Sequence, residues 1–284
     1  MPRRTGTDRL SRRDILRALG AVGLGTMTGA AAHGFLYERH HIYVTREEIG
    51  VPGWPESLSG VRIGFISDLH RSSTVPHEMV AKAVSVLMGE APDLIVLGGD
   101  YVTNRDRRFV QPAAEALAGL SAKVGVYAVL GNHDDERDVP AALNALGYLV
   151  LRDARTRITI GGETVELAGL RYWTRRMPEI TRVIRGALPN LILIAHTPSR
   201  LVEAAALSVP LMLSGHTHGG QIVLPGLGAI GARNFPVVAG SARRENTAVF
   251  VTRGVGTVYV PIRLNCPPEV AVLTLRPTAS TPST

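Results

Sequence analysis

The chain has 284 residues, 45% hydrophobic and 19% charged, the balance of an ordinary globular protein, and its length admits one large α/β domain or two small ones. Its net charge of +7 is concentrated in the first 32 residues, where six arginines face two aspartates. The remainder holds 25 basic and 22 acidic side chains, too mild an excess to imply nucleic acid as a partner.

The amino-terminal stretch is informative. Ser11-Arg12-Arg13-Asp14-Ile15-Leu16-Arg17 precedes an uncharged, Gly/Ala-rich run from Ala18 to Ala32. That run is shorter than the roughly 20 residues a spanning helix needs, and it ends in small residues at Ala30 and Ala32. Residues 1–32 therefore read as an export signal and resemble the twin-arginine class, which carries folded proteins to the periplasm or outer face of the cytoplasmic membrane. Cleavage would fall after Ala32; an uncleaved leader would serve as an anchor. The single cysteine, Cys266, excludes an internal disulfide and reads as a small buried packing residue.

Residues 33–60 form a lead-in in which His41 to Ile49 is β-rich and could add an edge strand before Val51-Pro52-Gly53-Trp54-Pro55 breaks it. Val61 to Ile66 is an apolar strand ending at Ser67-Asp68-Leu69-His70. A helix follows from about Pro76, with Val80, Ala83, Val84 and Leu87 at helical spacing. Asp93 to Leu97 is a second strand, ending in Gly98-Gly99-Asp100. A helical stretch, Phe109 to Leu120, leads to the strand Val124 to Leu130 and then Gly131-Asn132-His133-Asp134. A hairpin, Arg157 to Ile160 and Thr164 to Leu170, turns at Gly161-Gly162. Helical Pro178 to Ala187 precedes the strand Leu191 to Ala195, which ends at His196. Helical Ser199 to Leu207 precedes Leu211-Met212-Leu213, which runs into Ser214-Gly215-His216-Thr217-His218-Gly219-Gly220-Gln221. Short strands are expected at Gln221 to Leu224, Ala248 to Thr252, Thr257 to Val260 and Val270 to Leu275. Residues 276–284 read as a disordered tail.

Every polar cluster directly follows an apolar strand, and strand ends in α/β sheets converge on one crevice. The architecture this implies is α/β, two packed β-sheets flanked by helices in a four-layer αββα sandwich. Five of the nine histidines lie in the clusters. Imidazole and carboxylate together suit borderline divalent metals, and the absence of clustered cysteine argues against a structural zinc site. Seven donors exceed the needs of one ion, and two ions sharing a carboxylate account for the number. Taken singly, a strand-end Asp or His is commonly a turn former or helix cap, and Asp134 is expected to cap the turn after it.

The ordered blocks Asp68-x-His70, Gly99-Asp100, Gly131-Asn132-His133-Asp134, His196 and Gly215-His216-Thr217-His218 resemble the motifs of the calcineurin-like metallophosphoesterases, over about residues 61–275. The Gly-Gly-Gln after the last histidine is similar to the exported bacterial phosphodiesterase branch. The resemblance implies one metal held by Asp68, His70 and His218 and a second by Asn132, His196 and His216, with Asp100 bridging. It implies a metal-dependent phosphoesterase that cleaves phosphodiester or pyrophosphate bonds by attack of a hydroxide shared by two divalent ions, Mn²⁺ or alternatively Fe, Zn²⁺ or Mg²⁺. His133 would stabilise the transition state or protonate the leaving oxygen. Gly219-Gly220 would leave backbone room for a phosphate.

One position departs from the family's phosphoprotein phosphatases: Thr103 stands where they carry an aspartate that orients the histidine corresponding to His133. Asp134 or another carboxylate would then have to do so. Arg71 and Arg175 are candidate phosphate ligands, with Arg105, Arg171, Arg176 and Arg233 behind them. Trp173 fits packing better than a substrate cleft. Two other readings remain. A hydrolase of lipid-linked headgroups at the membrane, such as a nucleotide-sugar lipid pyrophosphatase, predicts an apolar patch beside the metals. A non-catalytic binding module predicts lost ligands, and all seven are present.

Overall fold

The computed structural model describes residues 11–279. The arginines at positions 3, 4 and 9 of the leader and the tail beyond Ala279 lie outside them.

Helix α1 (Arg12–Leu36) is solvent-exposed along nearly its whole length. The segment Ile15–His40 is long and apolar enough to cross a membrane, as an anchor or as a signal sequence near the amino terminus. This corrects the shorter estimate from the Gly/Ala-rich run alone. Helix continues on both sides of that run, through Ile15 and Leu16 and through Phe35 and Leu36.

After it come β1 (Tyr43–Pro52), β2 (Arg62–Ile66), α2 (His77–Gly89), β3 (Leu94–Leu97), α3 (Val110–Leu117), β4 (Val126–Ala128), α4 (Asp138–Ala145) and β5 (Leu149–Val150). The second half contributes β6 (Ala154–Ile160), β7 (Glu163–Leu170), α5 (Met177–Ile184), β8 (Leu191–Ala195), α6 (Leu201–Ala206), β9 (Leu211–Ser214), β10 (Gly240–Arg244), β11 (Thr247–Val251) and β12 (Glu269–Thr278). Two mixed six-stranded sheets result, in the orders β1-β12-β2-β3-β4-β5 and β10-β11-β9-β8-β7-β6. β1 is an edge strand paired parallel to β12, and β12 runs on through residues 276–278.

Side-chain alternation sets the layers. Ile63, Phe65, Leu94, Val96, Ile192, Ile194, Leu211, Leu213 and Leu273 face between the sheets. On the reverse faces, Ile95 and Leu97 pack on α2 and α3, and Leu193 and Met212 pack on α5 and α6. Strands buried on both faces read as continuous apolar runs, and their polar residues fall at the ends.

Two expected strands are absent. Gln221 and Tyr259 have left-handed backbones (φ 59° and 61°), which interrupts an extended run, and Gln221–Leu224 makes only single bridges, Ile222 to Leu264 and Leu224 to Gly228. The Gln221 side chain replaces a ladder: its Nε2 donates to the Val258 and Val260 carbonyls, and its Oε1 accepts from the Val258 N–H. The helix α4 and the strands β5 and β10 were not expected.

Leu273 is fully buried between the sheets. Leu273→Ala should cost about 2–5 kcal/mol, read as a lower urea midpoint with an unchanged slope.

Candidate metal centre

The carboxyl ends of β2, β3, β4, β8 and β9 bring the five clusters together where the sheets meet. The turns there are sharp. Asp68, His70, Asp100, His216 and His218 all have left-handed backbones, with φ between 47° and 71°. Conformations of this kind cost on the order of 1–3 kcal/mol each and persist only where the surroundings enforce them. Here backbone hydrogen bonds do so. Asp68 N–H donates to the Gly99 carbonyl (2.8 Å), His70 N–H to Asp100 (3.0 Å), and Gly256 N–H to Asp68 (2.7 Å). The Gly215 position has no room for a side chain, since a Cβ there would lie 2.2 Å from Asp68 Oδ2.

Three overlapping sets of donors each lie within 4.8 Å: Asp68, His70 and His218; Asp100, His196 and His216; and His70, Asp100 and His133. His70 Nε2 and His218 Nε2 are 3.0 Å apart, and His216 Nδ1 and His196 Nε2 are 3.3 Å apart. Two nitrogens about 2.1 Å from one ion, at angles between octahedral and tetrahedral, stand about 3.0–3.4 Å apart, so both pairs fit a shared cation. Asn132 Oδ1 is buried without a hydrogen-bond partner, as a neutral ligand oxygen would be. The residues present therefore fit a dinuclear centre. His196 Nδ1 donates to the Gly98 carbonyl at 2.7 Å, which leaves Nε2 for the metal.

The charges are arranged to receive cations. Burial lowers His70 to about 4 and His216 to about 3, and lowers His218 well below the usual range, so all three are neutral at pH 7, as imidazole must be to accept a metal. Burial pushes Asp68 up to about 6. Burial alone would lower His196, but Asp100 Oδ2 at 3.2 Å holds it up at about 10. Burial would likewise raise Asp100, yet the His196 charge keeps it well below the carboxylate range.

Around the donors the structure departs from the sequence reading in several places. Asp134 does not cap the following turn. Its buried carboxylate accepts from the N–H groups of Asp100 (2.8 Å), Tyr101 (2.7 Å), Val102 (3.3 Å) and Gly131 (2.8 Å), tying two ligand loops together. Burial and the Asp100 charge push it up to about 7 against those donors. Thr103 contacts His70 instead of His133, at 3.2 Å from Nδ1. Among the described residues, a backbone amide and not a carboxylate holds the His133 ring. Its Nδ1 accepts the Asn104 backbone N–H at 3.0 Å, which leaves Nε2 as the ring's donor atom, and the backbone N–H of His133 donates to Asp100 Oδ1 at 2.8 Å. In the direction a Cβ would take, Gly219 meets Cys266 Sγ and Gly220 meets the Ala229 side chain, so neither position has room for a side chain.

Arg71 turns back on its own loop, where Nη1 donates to the Ser72 and Val75 carbonyls. Arg171 pairs with Glu136 and Asp153, and Arg176 with Glu179; Arg233 is exposed. Arg175 lies over the rings of Tyr172 (5.3 Å) and Trp173 (5.1 Å), and Arg105 lies over Trp173 (5.9 Å). Trp173 is half exposed at this corner, not packed away. Tyr172 is in turn 5.3 Å from the His216 ring. Phe235 and Tyr259, 5.2 Å from His216 and 6.1 Å from His133, complete an aromatic rim that the sequence reading missed. It missed Arg263 as well. That side chain is fully buried, and its guanidinium binds the carbonyls of Arg253, Gly254, Gly256 and Cys266 beneath Asp68. None of these residues lies in a local motif, although a lone basic residue in an otherwise apolar stretch, as at Arg263, is a usable signal.

Two mixed sheets with a His/Asp donor set at their joined strand ends define a metal-dependent phosphoesterase fold. The sequence profile of the calcineurin-like phosphoesterases matches residues 61–220, and the chain belongs to that family. It is 30% identical over 283 residues to the metallophosphoesterase YkuE of Bacillus subtilis, covering 95% of this chain and 99% of that one. It is also 30% identical over 279 residues to the phosphodiesterase YaeI of Escherichia coli, covering 94% and 99%. A zebrafish transmembrane protein with a metallophosphoesterase domain is 29% identical over 266 residues, covering 87% of this chain and 60% of that one.

A metal-free chain holds a proton on His196 below about pH 10, and a metal needs that nitrogen's lone pair. Metal uptake at pH 8 should therefore release about one proton, with affinity rising about tenfold per pH unit between 7 and 9. Calorimetry in buffers of different ionisation heat reads both. Affinity independent of pH would show that His196 is not displaced.

Proposed function

We propose that the chain is a dinuclear metallophosphoesterase that hydrolyses phosphodiester or pyrophosphate bonds, with Asp68, His70 and His218 holding one ion and Asn132, His196 and His216 the other. The observation that carries this reading is the placing of one oxygen. Asp100 Oδ2 lies 3.5 Å from His70 Nε2 and 3.2 Å from His196 Nε2, so both ligand sets meet at the carboxylate proposed to bridge them. Two divalent ions, Mn²⁺ being our choice among those this donor set admits, would supply Lewis acidity and lower the pKa of a water they share.

The protein's own groups do the rest. Asn132 adds no charge, so two carboxylates face two divalent cations and the site stays positive toward an anionic ester. His133, with its proton on Nε2, is suited to donate to a phosphoryl or leaving oxygen. The Asn104 amide occupies Nδ1, which leaves Nε2 as the ring atom free to face the substrate. Arg175, one aromatic ring away from His216, is the proposed guanidinium for a second anionic group of the substrate. The preference for diesters is supported by the likeness to YaeI, and the complete ligand set supports an enzyme over a binding module.

Mn²⁺-loaded protein should hydrolyse bis(4-nitrophenyl) phosphate, and chelation should abolish the activity; failure with every divalent ion tried would remove the enzyme reading. His133→Ala should keep both metals and lose about 10²-fold or more in turnover. Unaltered turnover would take His133 out of the mechanism.

We also propose that residues 1–32 are a twin-arginine export signal that leads the folded domain to the periplasm or the outer face of the cytoplasmic membrane. Replacing Arg12 and Arg13 by Lys should trap the protein in the cytoplasm, as fractionation would show; unimpaired export would refute the assignment.

A further inference from the structure

One wall of the metal centre opens into a cavity that the hydrolytic chemistry does not use. It has a volume of about 490 Å³, with His216 and His218 at its inner end and Ile222, Leu224, Phe235 and Val258 along it. That is the size of a small-molecule site. A cavity for a wholly polar ester would offer hydrogen-bonding side chains along its length, whereas here the walls beyond the metal ligands are largely aliphatic and aromatic. Its rim stays apolar where it meets solvent. Ile230 is 40% exposed, Val260 45% and Tyr259 84%.

The amino-terminal helix reaches the domain at the same rim. Gly34 sits against Ile262 and the Arg263 backbone, where a Cβ would come within 2.4 Å of the Arg263 carbonyl oxygen. Arg263 N–H donates to the Gly34 carbonyl at 3.3 Å, and Glu38 accepts the N–H groups of Asn265 and Cys266 at 3.0 and 2.6 Å. The helix that is apolar enough to enter a bilayer thus leaves the domain two residues from Val260 in sequence. The helix exit and the mouth of the groove thus share one short segment, residues 258–263, and an exposed tyrosine among aliphatic side chains is the composition of an interfacial rim.

We infer that the groove holds the aliphatic tail of a lipid phosphoester whose phosphate sits at the metal centre. The substrate class is then amphiphilic, a phosphodiester or pyrophosphate linked to a hydrocarbon chain and drawn from the membrane. The inference rests on the phosphoesterase reading for what happens to the phosphate, but not for what fills the groove.

Two measurements on the full-length chain in mild detergent separate those claims. In the first, Mn²⁺-loaded protein is given methyl and octyl 4-nitrophenyl phosphate. A groove that takes the tail should raise kcat/KM for the octyl ester by at least about tenfold, given the worth of each buried methylene, and Ile230→Asp should erase that gain. In the second, an octyl phosphate bearing a terminal diazirine is photolysed on the protein and the adducts are mapped by mass spectrometry. Adducts within 222–235 and 257–262 are expected. Groove adducts without turnover of either ester would uphold the lipid site and remove the phosphoesterase reading. Equal turnover of the two esters with adducts elsewhere would uphold the enzyme and overturn the lipid site. A groove closed by a second copy of the chain, seen as a dimer by sedimentation together with the loss of groove adducts, would overturn it too.

Discussion

The rest of the structure depends on a concentration of charge. Asp68 and Asp100 are buried at the junction of the two sheets, among five imidazoles and with almost no solvent. Two carboxylates cannot both stay ionised there without positive charge close by. In the metal-free chain His196 provides it, 3.2 Å from Asp100 and 4.0 Å from Asp68. A single imidazolium is a partial answer, and Asp68 remains raised to about 6. Divalent cations neutralise both carboxylates and free the histidine at once, so metal affinity and the stability of this junction are one quantity viewed from two sides.

Bringing such groups together requires backbone that would not hold its shape alone, and the surrounding residues are best understood as its bracing. Five donor residues have left-handed backbones. Asp134 binds the loop after β3 to the loop after β4 through four N–H groups, and Arg263 gathers four carbonyls of the segment under Asp68. Both are buried side chains whose polar atoms are satisfied by backbone dipoles. That choice suits a metal centre, because a second full charge near the donors would compete with the ions for them.

The order of apolar strands and the clusters at their ends was plain in the sequence, since strands buried on both faces leave continuous Val, Ile and Leu runs. The polar residues at those ends were legible for the same reason, and the structure sets His216 beside His196 and His218 beside His70. What stayed hidden was every contact made at long range by a single side chain. Gln221 looked like part of a strand because its neighbours are β-formers, yet its amide holds a loop 37 residues away. Asp134 looked like a local cap because nothing in its own segment reveals the N–H groups of residues 100–102. The amide that orients His133 belongs to Asn104, and a backbone donor leaves no trace in residue identity. The aromatic rim comes from three separate segments and forms no pattern along the chain.

The same bracing joins the centre to the amino-terminal helix. Glu38, just past the end of α1, accepts the Cys266 N–H, and the Cys266 thiol donates to the His218 carbonyl at 3.2 Å. Two hydrogen bonds therefore run from the helix exit to His218. A domain tethered by a flexible linker would need no buried carboxylate at that point, and Glu38 is only 8% exposed. The hydrogen bonds it makes to two successive N–H groups fix the direction of the chain as it leaves the helix, and with it the orientation of the metal centre relative to whatever surface the helix occupies. A rigid exit of this kind matters most to a substrate that is itself held at that surface.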